Sequence, residues 1–194
     1  MLDNTSDISQ ANTTVGMGGF LDPGKIVSEF GISEGASIAD FGSGAGYFTI
    51  LLGQNVGKDG KVYALDVQEP PLDSVRAKAK AAGLENIETI RANLEVLGGS
   101  RLPDNSQDIV LLANILFQSS KKTDVINEAA RVLKPGGSMI IIDWKKGTGG
   151  FGPPDELRME NGEMRSLAPA GMFVFQKDIN AGSFHYGMVF AKNN

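Results

Sequence analysis

Short apolar runs alternate along this chain with longer stretches in which apolar residues recur at helical spacing. Asp22-Pro23 opens a short helix, since Asp caps a helix start and Pro suits its first turn; Ile26, Val27 and Phe30 form its apolar face and Gly31 ends it. Ser37 to Asp40 then reads as a strand, Tyr47 to Asn55 as a helix and Lys61 to Asp66 as a second strand. An Ala- and Lys-rich helix over Leu72 to Ala82 stops at Gly83, and Ile87 to Arg91 is a third strand. A longer loop through Pro103 leads to a fourth strand, Asp108 to Ala113. Thr123 is expected to cap a helix that runs through Leu133 and ends at Lys134-Pro135-Gly136-Gly137; Ser138 to Asp143 is a nearly all-apolar fifth strand.

Beyond this point the alternation breaks. A Gly/Pro-rich loop, Gly147 to Pro154, precedes a weakly helical stretch over Glu156 to Leu167. Two strand-like segments follow, Phe173 to Lys177 and His185 to Ala191, joined through Asn180-Ala181-Gly182, which predicts an antiparallel hairpin at one sheet edge. Near-continuous apolar strands imply burial on both faces, and regular strand–helix alternation implies a parallel sheet with helices on both sides. The expected fold is a doubly wound α/β domain over residues 20–194. Met1 to Gly19, polar and without a hydrophobic period, is expected to be a flexible tail or a lid over a ligand site.

Composition narrows the function classes. A length of 194 residues suits one well-buried domain. The net charge of −5 disfavours a nucleic-acid partner, because Lys and Arg carry most phosphate binding, and the pairs Lys121-Lys122 and Lys145-Lys146 are the only basic clusters. There is no cysteine, which removes disulfides, thiolate metal sites and cysteine nucleophiles, and fits a cytoplasmic enzyme. Apolar runs such as Met139 to Ile142 are too short to span a bilayer. A small-molecule substrate is the expected partner, and no metal site is expected.

The candidate chemistry begins at the strand-to-helix turn Gly42-Ser43-Gly44-Ala45-Gly46. Glycines there permit positive φ and close approach to a ligand at the carboxyl ends of the strands. Asp66, at the end of the second strand, can accept from both hydroxyls of a ribose. A dinucleotide fingerprint needs Gly-x-Gly-x-x-Gly, but the third position is Tyr47, and Gly46 comes one place early. That spacing disfavours an NAD-type oxidoreductase.

Ile38 to Thr49, Ala64-Leu65-Asp66, Arg91-Ala92-Asn93-Leu94-Glu95, Asp108-Ile109-Val110 and Leu133-Lys134-Pro135-Gly136-Gly137, in this order, resemble the class I S-adenosylmethionine-dependent methyltransferases, in particular the ubiquinone/menaquinone-type branch. The resemblance implies a mostly parallel seven-stranded, Rossmann-like sheet whose last strand is antiparallel, with S-adenosylmethionine as cofactor. It implies that Gly42 and Gly44 lie along the methionine and ribose, that Asp40 orients the amino group directly or through water, and that Asp66 holds the ribose hydroxyls. Asn93 and the backbone around Leu94 would meet the adenine edge, and Asn114 the methionyl end. Ser43, Gly46, Tyr47, Val67 and Ala92 complete the implied cofactor-binding set. Asn93 departs from the family, which commonly has an acid there.

Methyl transfer from a sulfonium is a direct displacement that rests on alignment, and it needs a base only if the acceptor must lose a proton. His185, the lone histidine, is either that base or a structural residue; Asp143 is the second candidate. Trp144 either stacks on a flat acceptor or covers the core, as do Phe117 and Phe20. Cysteine-dependent acceptors, pyrimidine carbon and arsenite, are excluded. Ala113-Asn114-Ile115-Leu116-Phe117 lacks the Pro-Pro motif after the fourth strand that accompanies many amino-group methyltransferases. A small metabolite or quinone-like ring, methylated at carbon or oxygen, is the expected acceptor; a non-catalytic cofactor-binding protein is the alternative.

Overall fold

A computed structural model describes residues 21–169 and 171–194. The tail expected over residues 1–19, its lid role, and Phe20 lie outside the described residues. Seven strands, β1 (Ser37–Phe41), β2 (Lys61–Asp66), β3 (Ile87–Arg91), β4 (Gln107–Ala113), β5 (Leu133–Trp144), β6 (Phe173–Ile179) and β7 (His185–Lys192), form one sheet in the order β3-β2-β1-β4-β5-β7-β6. β1 pairs in parallel with β2 and β4, β2 with β3, and β4 with β5. β7 runs antiparallel to both of its neighbours, β5 and β6, so the hairpin enters the sheet by its second strand and leaves β6 at the edge.

Helices cover both faces. On one side α1 (Pro23–Val27) and α2 (Tyr47–Asn55) bury Ile26, Val27, Phe48 and Leu52 against Ile38, Val62, Leu111 and Ile142. α3 (Glu69–Ala81) packs beside α2 and over β2 and β3. On the other side α4 (Lys122–Val132) and α5 (Asn161–Leu167) bury Val125, Ile126, Ala129 and Met164 against Phe41, Leu112, Ile141 and Met188. No helix among the described residues is long and apolar enough to cross a membrane.

Three local readings are corrected. Asp22 does cap α1, accepting from Gly24 and Lys25 N–H groups, but α4 starts two residues early, at Lys122 after the cap position Lys121, with no side-chain cap, so Thr123 lies inside the helix. α3 begins three residues before the expected Leu72, because Pro70 and Pro71 fit a first turn where no N–H is needed. The helix expected over Glu156 to Leu167 is broken into a 3-10 turn at Asp155–Leu157 and α5. Glu160, in extended conformation, exchanges a capping box with Glu163 and restarts the helix. Between the two pieces Arg158 turns inward, its guanidinium donating to the carbonyls of Lys145, Phe151 and Pro153 and to Thr148 Oγ1.

Under the loop between β3 and β4, Glu128 of α4 is fully buried. Its carboxylate accepts from Gly98 N, from Ser100 N and Oγ and from Arg131, while Arg131 also reaches Asp104. Burial alone would raise the Glu128 pKa, but these donors bring it down to about 2. The network ties this loop to α4 and so fixes one wall of the site described next.

Candidate active site

The strand order reverses between β1 and β4, because the chain builds outward through β2 and β3 and then returns to the other side of β1. Such a switch point leaves a crevice at the carboxyl ends of the two strands. The glycine turn leaves β1 there, and Asn114 leaves β4 beside it.

The turn is shaped by its neighbours. Gly42, Gly44 and Gly46 have φ of 72°, 51° and 82°, values that L side chains rarely adopt. A Cβ on Gly46 would lie 2.9 Å from Val75 Cγ2 of α3. From the same helix Lys78 Nζ donates to Ala45 O at 2.7 Å and sits 4.3 Å from the Tyr47 ring centroid. Tyr47 is therefore directed outward, 72% exposed. Gly44 has nothing within 4 Å of where a Cβ would be, so this part of the turn faces open space.

That space is a cavity of about 490 Å³. Gly42 and Gly44 line it with Asp66 and Val67 at the end of β2, Ala92, Asn93 and Leu94 after β3, and Ile115 after β4. Asp66 Oδ2 accepts from Gly44 N at 3.1 Å and Oδ1 from Gln68 N at 2.9 Å, which holds the carboxylate against the turn. Leu94 and Ala92 are buried, whereas Asn93 is exposed and its Oδ1 accepts from Glu95 N at 3.0 Å. Sequence reasoning missed Gln68, Pro71, Glu95, Ile115, Gln118, Ser119 and Val125, which also line the cavity.

Asp40, Ser43, Gly46, Tyr47 and Asn114 do not line it. Asp40 lies behind the turn, 2% exposed, accepting from Thr49 Oγ1 of α2 at 2.6 Å. Burial pushes its pKa up to about 6, opposed by the Thr49 hydrogen bond and reinforced by the Asp66 charge. The folded protein thus holds this proton more tightly than the unfolded chain. The resulting stabilisation is present below the ordinary carboxyl value of 3.8 and is lost as pH rises through about 6. Asp40→Asn keeps an oxygen for Thr49 without the charge, so at pH 8 it is expected to melt about 5 °C above the wild type, from roughly 2 kcal/mol of relieved desolvation. Below about pH 3.8 the two melting temperatures should converge; a thermal series across that range checks it, and equal melting at pH 8 refutes it.

Asn114 is held at φ 55°, and its buried Oδ1, like the buried Ser43 Oγ, has no hydrogen-bond partner among the described residues. Native proteins seldom leave such atoms orphaned, and here both sit beside the crevice.

At the carboxyl end of β5 the two catalytic candidates fall on opposite faces of the sheet. Asp143 stands across from Tyr186, and Trp144 across from His185. Asp143 accepts from Phe117 N at 3.1 Å and from Trp144 N at 2.8 Å, so both its oxygens are engaged in holding the loop after β4. Its burial raises the pKa to about 6 against those two hydrogen bonds and the Lys122 charge. His185 is buried, and neither ring nitrogen is hydrogen-bonded among the described residues. Burial, then the charges of Lys145 and Arg158, pull its pKa down to about 4, and it is neutral at pH 7. Its ring lies 4.0 Å from that of Trp144, and a Cβ on Gly152 would lie 2.5 Å from Trp144 Cζ3, so the Gly/Pro-rich loop is laid against the indole.

The cavity tests what cofactor the residues suit. Asp66 and Glu95 line it and no Lys, Arg or His does, among the described residues. A pyrophosphate would meet two carboxylates and no counter-charge, whereas a ribose, an adenine and a sulfonium fit that wall. Fold and site define a doubly wound domain whose switch-point cavity suits a phosphate-free adenosine cofactor.

Known proteins agree. The methyltransferase domain family matches residues 32–174. A SAM-dependent methyltransferase of Aquifex aeolicus superposes with a TM-score of 0.80 at 32% identity, covering 90% of this chain and 91% of that one. The ubiquinone/menaquinone biosynthesis C-methyltransferase UbiE of Hahella chejuensis is 34% identical over 123 residues, 63% of this chain and 48% of the relative. UbiE of Escherichia fergusonii is 32% identical over 117 residues, 60% of this chain and 45% of the relative. The chain spans about half the length of these two relatives. It belongs to the class I SAM-dependent methyltransferases, whose cofactor is S-adenosylmethionine.

Proposed function

We propose that this protein transfers a methyl group from S-adenosylmethionine to a small-molecule acceptor, a quinone-related ring methylated at carbon. The observation that carries the cofactor half is the cavity joining Gly42 and Gly44 to Asp66 and to Asn93-Leu94, lined by carboxylates and, among the described residues, by no cation. The acceptor half is supported by the UbiE relatives. S-adenosylmethionine, when bound, supplies an activated methyl on a sulfonium for direct displacement.

The chain's own residues would then bind and align. Gly42 and Gly44 give backbone access to the methionine and ribose, with Ser43, Gly46 and Tyr47 completing the turn, and Asp66 accepts from the ribose hydroxyls. Val67, Ala92, Asn93 and Leu94 form the adenine end, while Asp40 and Asn114 flank the methionyl end. Asp143, with both oxygens committed, positions Phe117; His185, neutral and buried, can accept a proton from an acceptor hydroxyl only if the loop over Trp144 moves.

A cofactor-binding protein without turnover is the second reading, favoured by Asp143 being committed to the backbone and His185 being buried. Thermal unfolding decides the cofactor: at a hundred times its dissociation constant, S-adenosylhomocysteine should stabilise the fold by roughly 2.7 kcal/mol and NAD by nothing. Stabilisation by NAD alone would overturn the assignment. Methyl transfer from labelled S-adenosylmethionine to a panel of hydroquinones and naphthols then separates enzyme from binder, the second reading standing if none is methylated.

A further inference from the structure

Asn93 stands where the family resemblance places an acid, yet its side-chain oxygen is already committed to the backbone. It is exposed, and its Oδ1 accepts from Glu95 N at 3.0 Å, closing a turn of the kind Asn forms with its own backbone two residues on. Glu95, half-buried, is thereby placed on the cavity wall. There its Oε1 accepts from Ser119 Oγ at 2.6 Å, a bond from the loop after β3 to the loop after β4. The hydroxyl is itself oriented, since Ser119 Oγ accepts from Lys121 N at 3.0 Å and so directs its single proton at Glu95. Oε2 has no hydrogen-bond partner among the described residues. The other carboxylate of the cavity, Asp66, has both oxygens engaged by Gly44 N and Gln68 N at the glycine turn.

From this geometry we infer that Glu95, held by Ser119, is the residue that reads the cofactor's adenine, its Oε2 accepting from the exocyclic amino group, and that Asn93 serves to position it. The inference rests on the S-adenosylmethionine reading above. A fixed carboxylate oxygen selects a donor at the purine 6-position and rejects a carbonyl there, because two acceptors would face each other. The apolar surfaces of Ala92, Leu94 and Val125 supply the remainder of the adenine wall without reading its edge.

The test compares S-adenosylhomocysteine with S-inosylhomocysteine, which carries a carbonyl in place of the amino group, by titration calorimetry. The wild type is expected to prefer the adenine compound by on the order of 100-fold. In Glu95→Gln, Ser119 continues to hold the amide oxygen, so the NH2 group replaces Oε2 and becomes a donor; the preference should fall below about fivefold or reverse. Ser119→Ala keeps the carboxylate but frees it, and should cost the adenine compound several-fold in affinity. Asn93→Ala should lower the preference but retain at least a tenfold one. A wild-type preference in Glu95→Gln overturns the inference, and an undiminished preference in Asn93→Ala overturns the positioning role of Asn93. A wild type that binds neither compound overturns the cofactor reading itself, and this inference with it.

Discussion

Asp66→Ala is expected to raise the dissociation constant for S-adenosylhomocysteine by about 100- to 10,000-fold, because a carboxylate that accepts from two hydroxyls gives two charge-assisted hydrogen bonds of roughly 1.5–3 kcal/mol each. The variant also removes the acceptor of Gly44 N and Gln68 N, so the turn loses its brace as well as the ligand its partner. Asp66→Asn separates the two effects. Its amide oxygen can still accept from one backbone N–H, but one of its two polar ends becomes a donor and the charge is gone, so its affinity should fall between those of Ala and the wild type. Calorimetry reads the affinity, and a thermal melt without ligand shows that the fold is intact. An Ala variant within threefold of the wild type would remove Asp66 from the ribose role.

Gly42→Ala is expected to destabilise the fold by about 2–4 kcal/mol, a fall of roughly 5–10 °C in melting temperature for a chain of this length. Two causes add. The φ of 72° is strained for any L side chain. The new Cβ would lie 2.6 Å from Ile115 Cδ1 and 3.1 Å from its Cβ and Cγ1, so Ile115 must move. Since Ile115 also lines the cavity, the displaced side chain narrows the site and affinity should fall together with stability. Adding Ile115→Ala relieves the contact but not the backbone strain, so the double variant should regain only part of the loss. A single variant that melts with the wild type would show that the turn is free to relax.

The elements themselves were largely legible. α2, β2 and β3 occupy the ranges their apolar spacing predicts, because their boundaries are marked locally by glycines or by a change of period. Arg158 shows where local reading fails. It falls in the stretch whose pattern reads as weakly helical, yet its guanidinium is buried against four carbonyl and hydroxyl groups of the preceding loop, and the helix is interrupted around it. Tertiary hydrogen bonds outweigh a weak helical propensity.

The site divides along the same line. Gly42, Gly44, Asp66, Asn93 and Leu94 can be found from sequence because each follows a strand of a parallel sheet, and all such turns emerge at one edge. That edge assignment, the adenosine-type ligand and the exclusion of cysteine chemistry were determined by the sequence alone. Only the tertiary structure decided that Glu95 and Ser119, 24 residues apart, meet at 2.6 Å, that Ile115 lies against Gly42, and that Trp144 is covered by the loop at Gly152 rather than left open. It also placed β7 between β5 and β6, which brings His185 to Trp144 and Tyr186 to Asp143. The physical reason is one of range. Hydrophobic period and turn chemistry act over a few residues, whereas which loops face each other across a cavity depends on strand order and on hydrogen bonds that form only after the sheet has closed.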